Sequence, residues 1–162
     1  MAITSEKPED RHIFLVQHGE AAAKEENPDR PLTEAGRQTV EQVADWAARV
    51  GLPVGQIRHS GKLRAQQTAA ILAEKLQPKD GVAIDERMTP KDDVAPVAEK
   101  LKECHCSVML VGHMPFLSRL AGLLVAGDSS REVIQFHQGG VVGLTQDDNG
   151  WRVWCAVPPE LI

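Results

Sequence analysis

The sequence predicts an α/β fold: a three-layer sandwich with a mainly parallel central sheet, helices on both faces and an antiparallel edge hairpin. Strand and helix patterns alternate along the 162 residues, as in mainly parallel sheets. Two short apolar runs, 13–16 and 108–111, are typical of strands buried on both faces. Near the end of the chain, apolar stretches at 141–145 and 151–155 flank an Asn-Gly turn signal, which indicates the hairpin.

Two helices are predicted in the first half of the chain. Thr33 is a good N-cap, and the apolar residues after it fall on one helical face as far as Gly51. Residues 56–59 form a weaker strand pattern between the two helices. Ser60 can cap the second helix, whose apolar stripe ends before the helix-breaking Pro78.

The second half repeats the alternation of strand and helix. A short strand is predicted at 82–84, near an edge of the sheet. The apolar spacing at 94–101 predicts a third helix, with Asp92 or Asp93 as its cap. After the buried strand at 108–111, Pro115 opens a fourth helix at its first position, where proline is tolerated.

Composition limits the classes of partner. We expect a flexible leader at residues 1–11 and a single domain at 12–162. A net charge of −5 argues against a nucleic-acid partner, and the apolar runs are too short to cross a membrane. Three cysteines make no even disulfide framework, so a soluble cytoplasmic protein is expected. Because neighbouring residues cannot all ligate one tetrahedral ion, Cys104–Cys106 predicts no metal site, and we expect no cofactor.

Three polar side chains are placed at junctions between strands and helices. His18 and His113 follow the two buried strands, and Gly19 lets the chain turn sharply after the first. Arg64 lies near the start of the second helix, where backbone N–H groups attract anions. Open α/β sheets bind ligands at the carboxyl ends of their strands. Two imidazoles and a guanidinium there suit a phosphoryl group, which one neutral imidazole could attack.

Four motifs in this order resemble the histidine phosphatase superfamily. Length and spacing are most similar to its SixA-type phosphohistidine phosphatases, and the resemblance runs from about Ile13 to the final hairpin. It implies a phosphoglycerate mutase-like fold. The motifs are Gln17-His18-Gly19-Glu20, Arg30-Pro31-Leu32-Thr33 with Gly36, Ser60 with Arg64-Ala65 and Gln67-Thr68, and Val111-Gly112-His113-Met114-Pro115.

The resemblance also implies roles for these residues. His18 would be the nucleophile, transiently phosphorylated on a ring nitrogen. Arg64 would clamp phosphate oxygens, and His113 would be a second donor to the phosphoryl group. Three further positions are expected to bind phosphate or substrate: Gln17, Gly19 and, at the rim, Arg30.

Gln17 is the main departure from the family pattern, which has arginine at this position. Glutamine donates neutral hydrogen bonds but cannot form a charged fork. Loss of one preorganised donor from an oxyanion site usually lowers the rate by about 10²- to 10³-fold. A nearby positive charge disfavours protonation, so its loss is expected to make His18 easier to protonate and less often nucleophilic.

The second departure from the family pattern concerns the acid that donates a proton to the leaving group. Larger family members carry an acidic donor in an inserted segment that this chain is too short to contain. Glu20 and Glu86 are the local acids that serve as candidates. A phosphoramidate leaves as an easily protonated imidazole, so it needs less help from a general acid than an alkoxide does.

Two functions follow from these residues. The first is a metal-independent phosphatase that acts through phospho-His18 on phosphohistidine in a protein, or on a small phosphorylated compound. The second is a catalytically weakened relative that binds a phosphorylated partner without turnover. The presence of His18, Arg64 and His113 favours the first, and Gln17 favours the second.

Overall fold

The computed structural model describes residues 11–162, which form one six-stranded sheet flanked by helices. The strands are β1 (His12–Gln17), β2 (Gln56–His59), β3 (Val82–Ile84), β4 (Val108–Gly112), β5 (Val141–Asp147) and β6 (Gly150–Val157). Their order in the sheet is β3-β2-β4-β1-β5-β6. The first four are parallel, and β5 and β6 are antiparallel to their neighbours. The predicted mainly parallel sheet with an antiparallel edge hairpin is confirmed.

Four helices cover the two faces of the sheet. They are α1 (Glu34–Val50), α2 (Leu63–Leu76), α3 (Ala95–Glu103) and α4 (Phe116–Ala126). Because side chains alternate along a strand, β1 contributes to two separate cores. Phe14 and Val16 pack with residues of α1 and α2, whereas Ile13 and Leu15 pack with residues of α3 and α4. The three-layer sandwich follows from this alternation.

The pairing of β1 with β4 positions the residues that follow them. Ile13 lies opposite Val108 and Gln17 opposite Gly112, so the two parallel strands end at the same level. Both strands lie in the centre of the sheet and are almost fully buried. His18 directly follows β1 and His113 directly follows β4, so both histidines lie at the same edge of the sheet.

The start of α1 is as predicted. Thr33 Oγ1 accepts a hydrogen bond from Gly36 N at 2.9 Å, and Gly51 ends the helix in the left-handed region at φ 69°. A Cβ on Gly36 would lie 2.1 Å from the carbonyl oxygen of Glu20. The close approach of α1 to the segment after β1 therefore requires glycine at this position.

The predicted cap of α2 is wrong. The helix begins at Leu63, and Lys62 occupies its N-cap position without a side-chain hydrogen bond. Ser60 lies two residues earlier, and its Oγ accepts a hydrogen bond from Lys62 N at 3.3 Å. Gly61, at φ 86°, turns the chain between them. The serine belongs to the turn before the helix, which leaves its hydroxyl close to the edge of the sheet.

Smaller differences occur at the ends of other elements. Pro115 is the N-cap of α4 rather than its first helical residue. Val94 occupies the N-cap position of α3, while Asp93 Oδ1 accepts a hydrogen bond from Ala95 N at 3.0 Å. The hairpin strands run further than predicted, which leaves a loop of only Asp148 and Asn149.

Most of the expected leader lies outside the described residues. Its last residue, Arg11, is held against the domain: one guanidinium nitrogen donates to Gln146 Oε1 at 2.8 Å and another to the carbonyl of Cys104. The guanidinium carbon also lies 5.0 Å from the centre of the Trp151 ring. Arg11 therefore joins the start of β1 to the edge hairpin.

Candidate active site

The two histidines lie side by side at the strand tips. Their ring centroids are 5.0 Å apart, and the ring planes are inclined by 55°. His18 is 7% exposed and His113 is 1% exposed, so both imidazoles are largely removed from water. His18 N also donates to the carbonyl of Gly112 at 3.1 Å, which joins the two strand ends directly.

The tautomer of His18 follows from its hydrogen bond. Nδ1 lies 2.7 Å from the carbonyl oxygen of Gly19, which can only accept. Nδ1 therefore carries the proton, and Nε2 keeps its lone pair. Arg64 Nε donates to that Nε2 at 3.3 Å, so the guanidinium of α2 lies against the free nitrogen. The arrangement presents an unprotonated nitrogen beside a positive charge.

Burial is the main cause of the lowered pKa of His18. It reduces the pKa from 6.5 to about 4, against the hydrogen bond to the Gly19 carbonyl and with help from the charges of Arg64 and Arg30. The loss of arginine at position 17 was expected to leave His18 protonated more often. At neutral pH this consequence does not follow, because desolvation keeps the imidazole neutral.

His113 contacts a residue that the sequence analysis placed elsewhere. Its Nε2 lies 2.6 Å from Ser60 Oγ, and both residues are buried. Burial, followed by the charges of His18, Arg64 and others, lowers the pKa of His113 to about 3. Its Nδ1 is also buried and has no hydrogen-bond partner among residues 11–162. Ser60 stands four residues before Arg64 in one of the family motifs, and that position is the sequence signal that could have indicated this contact.

Two arginines supply positive charge to the site. Arg64 is half-buried, and burial together with the charge of Arg30 lowers its pKa. Arg30 has a left-handed backbone at φ 50°, and its Nε donates to the carbonyl of Ala22 at 3.1 Å. That bond anchors the side chain in the loop after β1, close enough for its charge to act on His18 and His113.

Gly19 joins the end of β1 to α2 through a hydrogen bond from its backbone N–H to a side chain. Its N–H donates to Thr68 Oγ1 at 3.1 Å, and the same hydroxyl donates to the carbonyl of Arg64 at 2.8 Å. A Cβ at position 19 would lie 2.7 Å from Val40 Cγ2, so a larger residue would force the Val40 side chain or α1 to move. Thr68 therefore couples the loop after His18 to the helix that carries Arg64. Sequence reasoning had given Thr68 no separate role.

Gln17 occupies the last position of β1 and is half-buried. It lies between Gly112 on β4 and Gln138, with which it forms an isolated parallel bridge. Its carbonyl accepts a hydrogen bond from Gly139 N at 2.8 Å. The backbone of this position is therefore held on both sides, immediately before His18.

The two candidate acids, Glu20 and Glu86, have contacts outside the trio formed by His18, Arg64 and His113. Glu20 is exposed, and its Oε1 accepts a hydrogen bond from Thr33 Oγ1 at 3.1 Å. Glu86 is exposed in a 3₁₀ turn, Glu86–Met88. Within residues 11–162, no hydrogen bond joins either carboxylate to the trio.

A cavity of about 480 Å³ lies beside the tip of β1. It is polar and open, and it includes two carboxylates. Its lining residues are Glu20, Gly36, Thr39, Gln42, His137, Gln138, Pro159 and Glu160. His137 also lines a smaller cavity of about 170 Å³ next to β5 and β6. Glu20 and Glu160 place negative charge in this cavity, and none of His18, Arg64 and His113 lines it.

Two further features are missing from residues 11–162, the described part of the chain. No three side chains of the metal-binding types gather there in a way that could hold an ion. None of its helices combines the length and apolar character that crossing a membrane requires.

The chain was also compared with known proteins. A sequence model of the histidine phosphatase superfamily (branch 1) matches residues 13–89, which include His18 and Arg64. The phosphohistidine phosphatase SixA of Escherichia coli strain K12 is 26% identical over 143 residues, 85% of this chain and 87% of that protein. An uncharacterized protein of Picosynechococcus is 30% identical over 140 residues, or 82% and 83% of the two chains.

A solved structure gives the corresponding result for the fold. The tungstate complex of the protein histidine phosphatase SixA superposes with a TM-score of 0.82 at 24% identity. The match covers 93% of this chain and 98% of that one. The predicted phosphoglycerate mutase-like architecture is therefore confirmed over nearly the whole described chain.

Proposed function

Because this chain belongs to the histidine phosphatase superfamily and is a phosphatase, we propose that it hydrolyses protein phosphohistidine through a phosphorylated intermediate on His18. One observation supports this proposal above the others. A neutral imidazole presents its unprotonated Nε2 to Arg64, 5.0 Å from a second buried imidazole, His113. Nucleophile and charge-stabilising groups of this kind are what phosphoryl transfer requires.

In the first step the hydrogen bond from Arg64 Nε to His18 Nε2 breaks, and the freed lone pair of Nε2 attacks phosphorus. The new P–Nε2 bond forms as the P–N bond to the substrate imidazole breaks, and the leaving nitrogen takes the electron pair and then a proton. Arg64 lies against the attacking nitrogen and is therefore within reach of the phosphoryl oxygens. His113 contributes a second donor, so that the negative charge is divided between two side chains.

In the second step water attacks the phosphorylated His18 and releases inorganic phosphate. The hydrogen bond from Nδ1–H to the Gly19 carbonyl keeps the ring proton in place during phosphorylation. The phosphorylated ring then carries positive charge, which makes the imidazole a better leaving group. Departure of the phosphoryl group restores the neutral ring with a free Nε2.

The lack of a hydrogen bond between the candidate acids and the trio supports a phosphoramidate substrate. Glu20 bonds to Thr33, and Glu86 lies exposed in a turn, so neither is hydrogen-bonded to the imidazoles in the part of the chain described. A departing imidazole accepts a proton from water readily, whereas a departing alkoxide needs a positioned acid. The name of the SixA relative agrees with this chemistry.

Gln17 favours a second candidate, a relative that binds phosphorylated protein without useful turnover. The glutamine stands directly before His18, where it supplies no charge to the phosphoryl group. This candidate keeps the same site and differs in rate alone.

A turnover panel distinguishes these functions. Phosphohistidine peptide, an aryl phosphate and a sugar phosphate are offered to the wild type, to His18→Ala and to His105→Ala, which changes an exposed histidine in the loop before β4. We expect phosphohistidine to be hydrolysed fastest, and ³²P to remain on the wild type and the control but not on His18→Ala. Peptide binding without release of phosphate would establish the second candidate. Preference for the sugar phosphate would indicate a small-molecule phosphatase.

A further inference from the structure

We infer that Ser60 is a positioning residue that orients His113 and sets its tautomer, so that Nδ1–H is the group offered to the phosphoryl oxygens. The inference rests on the proposed function, in which His113 is a donor to the phosphoryl group. It is carried by the 2.6 Å contact between Ser60 Oγ and His113 Nε2 and by the buried Nδ1 without a partner.

The contact leaves a single nitrogen for the ligand. A neutral imidazole has one proton, which either ring nitrogen can carry. Because Ser60 occupies Nε2, Nδ1 is the nitrogen of His113 that remains for a phosphoryl oxygen. Buried polar atoms normally have hydrogen-bond partners. An incoming oxygen would supply the partner that Nδ1 lacks among the described residues.

The hydroxyl of Ser60 is arranged to donate to His113. Its oxygen already accepts the N–H of Lys62 at 3.3 Å, and its own hydrogen can then point to Nε2. With Nε2 accepting, the proton of the neutral ring resides on Nδ1. The opposite tautomer would direct a bare Nδ1 lone pair at an anion, which is repulsive. The chain of donors therefore runs from Lys62 N–H through Ser60 to His113.

The backbone holds this pair rigidly. Ser60 follows β2, and His59 at the end of β2 lies opposite Val111 on β4. Ser60 and His113 are thus attached to neighbouring strands of one sheet. Ser60 is only 3% exposed, so water does not replace it easily as the partner of Nε2.

Ser60→Ala tests the inference, with Ser60→Thr as the variant that keeps the hydroxyl. Ser107→Ala is the matched control, because Ser107 Oγ also accepts a backbone N–H, from His12 at 3.0 Å, at the opposite end of β4. Removing the group that orients a metal-bound histidine typically lowers activity about 10- to 100-fold, and the same scale serves here for an oriented histidine that donates to a phosphoryl group. We expect a loss of that size in kcat for Ser60→Ala, recovery in Ser60→Thr, and no loss in Ser107→Ala.

A second measurement determines which ring nitrogen of His113 carries the proton. ¹⁵N NMR of histidine-labelled protein, with inorganic phosphate bound, reports which nitrogen of His113 is protonated. We expect a protonated Nδ1 in the wild type and in Ser60→Thr, and a proton distributed over both nitrogens in Ser60→Ala. This spectrum does not depend on turnover, so it tests the role of Ser60 even if the proposed substrate is wrong.

Two results would overturn the inference. One is a wild-type His113 that carries its proton on Nε2 with phosphate bound. The other is a Ser60→Ala variant, folded by circular dichroism, that keeps both the wild-type tautomer and the wild-type kcat. Absence of turnover by the wild type on every substrate would instead contradict the proposed function.

Discussion

Replacement of Gln17 by arginine is expected to raise the phosphatase activity of this chain. Gln17 ends β1 directly before the proposed nucleophile, and its neighbour across the sheet, Gly112, has no side chain. The backbone at this position is held by pairing to Gly112 and by the hydrogen bond from Gly139. These contacts involve only the backbone of Gln17, so replacing its side chain leaves the hydrogen bonds of the strand in place.

The burial of the site determines the size of the effect. His18 is 7% exposed, so a charge beside it acts in a medium of much lower dielectric than water. A charge about 4 Å from a phosphoryl oxygen is worth about 4 kcal/mol at an effective dielectric near 20. That energy corresponds to about 10³-fold in rate, close to the 10²- to 10³-fold associated with one oxyanion donor.

The gain is expected in transition-state stabilisation and not in the ionisation of the nucleophile. The pKa of His18 is already about 4, so the imidazole is neutral at pH 7 before and after the change. An added positive charge can only lower that pKa further. The activity of Gln17→Arg should therefore rise while the pH dependence near neutrality remains the same.

Steady-state hydrolysis of an aryl phosphate measures the effect. Gln17→Lys, which adds charge without the fork of arginine, should give an intermediate rate. Gln38→Arg on the exposed face of α1 is the matched control for the same change elsewhere, and it should have no effect. If Gln17→Arg is folded and turns over no faster than the wild type, the assignment of position 17 to the phosphate site is wrong.

Four further results are expected. In NMR titrations His18 and His113 should remain neutral down to their folded pKa values of about 4 and 3; midpoints near 6.5 would contradict the burial argument. Unfolded histidines have a pKa near 6.5, so below that pH the unfolded state binds more protons than the folded state. The free energy of unfolding, measured in denaturant titrations, should therefore decrease between pH 6.5 and pH 4, by about 3 kcal/mol for His18 alone. Gly36→Ala should lower Tm despite the better helix propensity of alanine, because its Cβ would lie 2.1 Å from the Glu20 carbonyl; a raised Tm would show that α1 can move away. Arg64→Ala should reduce turnover of aryl phosphate by at least about 10²-fold, and a smaller loss would place the main phosphate contact elsewhere.

Much of the fold and the identity of the trio could be predicted from local patterns. The apolar runs before His18 and His113 are long enough to be recognised as buried strands, and parallel strands place their carboxyl ends at one edge. The cap at Thr33 and the hairpin signal at Asn149-Gly150 depend on residues close in sequence. Such patterns can be recognised in a sequence because they arise from interactions between residues that are close along the chain.

The chemical state of the site depends on contacts between distant parts of the chain. Ser60 and His113 are 53 residues apart, and only the pairing of β2 with β4 brings the hydroxyl to Nε2. The low pKa of His18 arises mainly from burial in the folded chain, although the residue beside it lacks the charge that the family pattern supplies. Which groups the site contains could be predicted from the order of residues along the chain. Which nitrogen of His18 is unprotonated, and which groups are neutral, depends on the folded chain, because desolvation and hydrogen-bond partners exist only once the chain has packed.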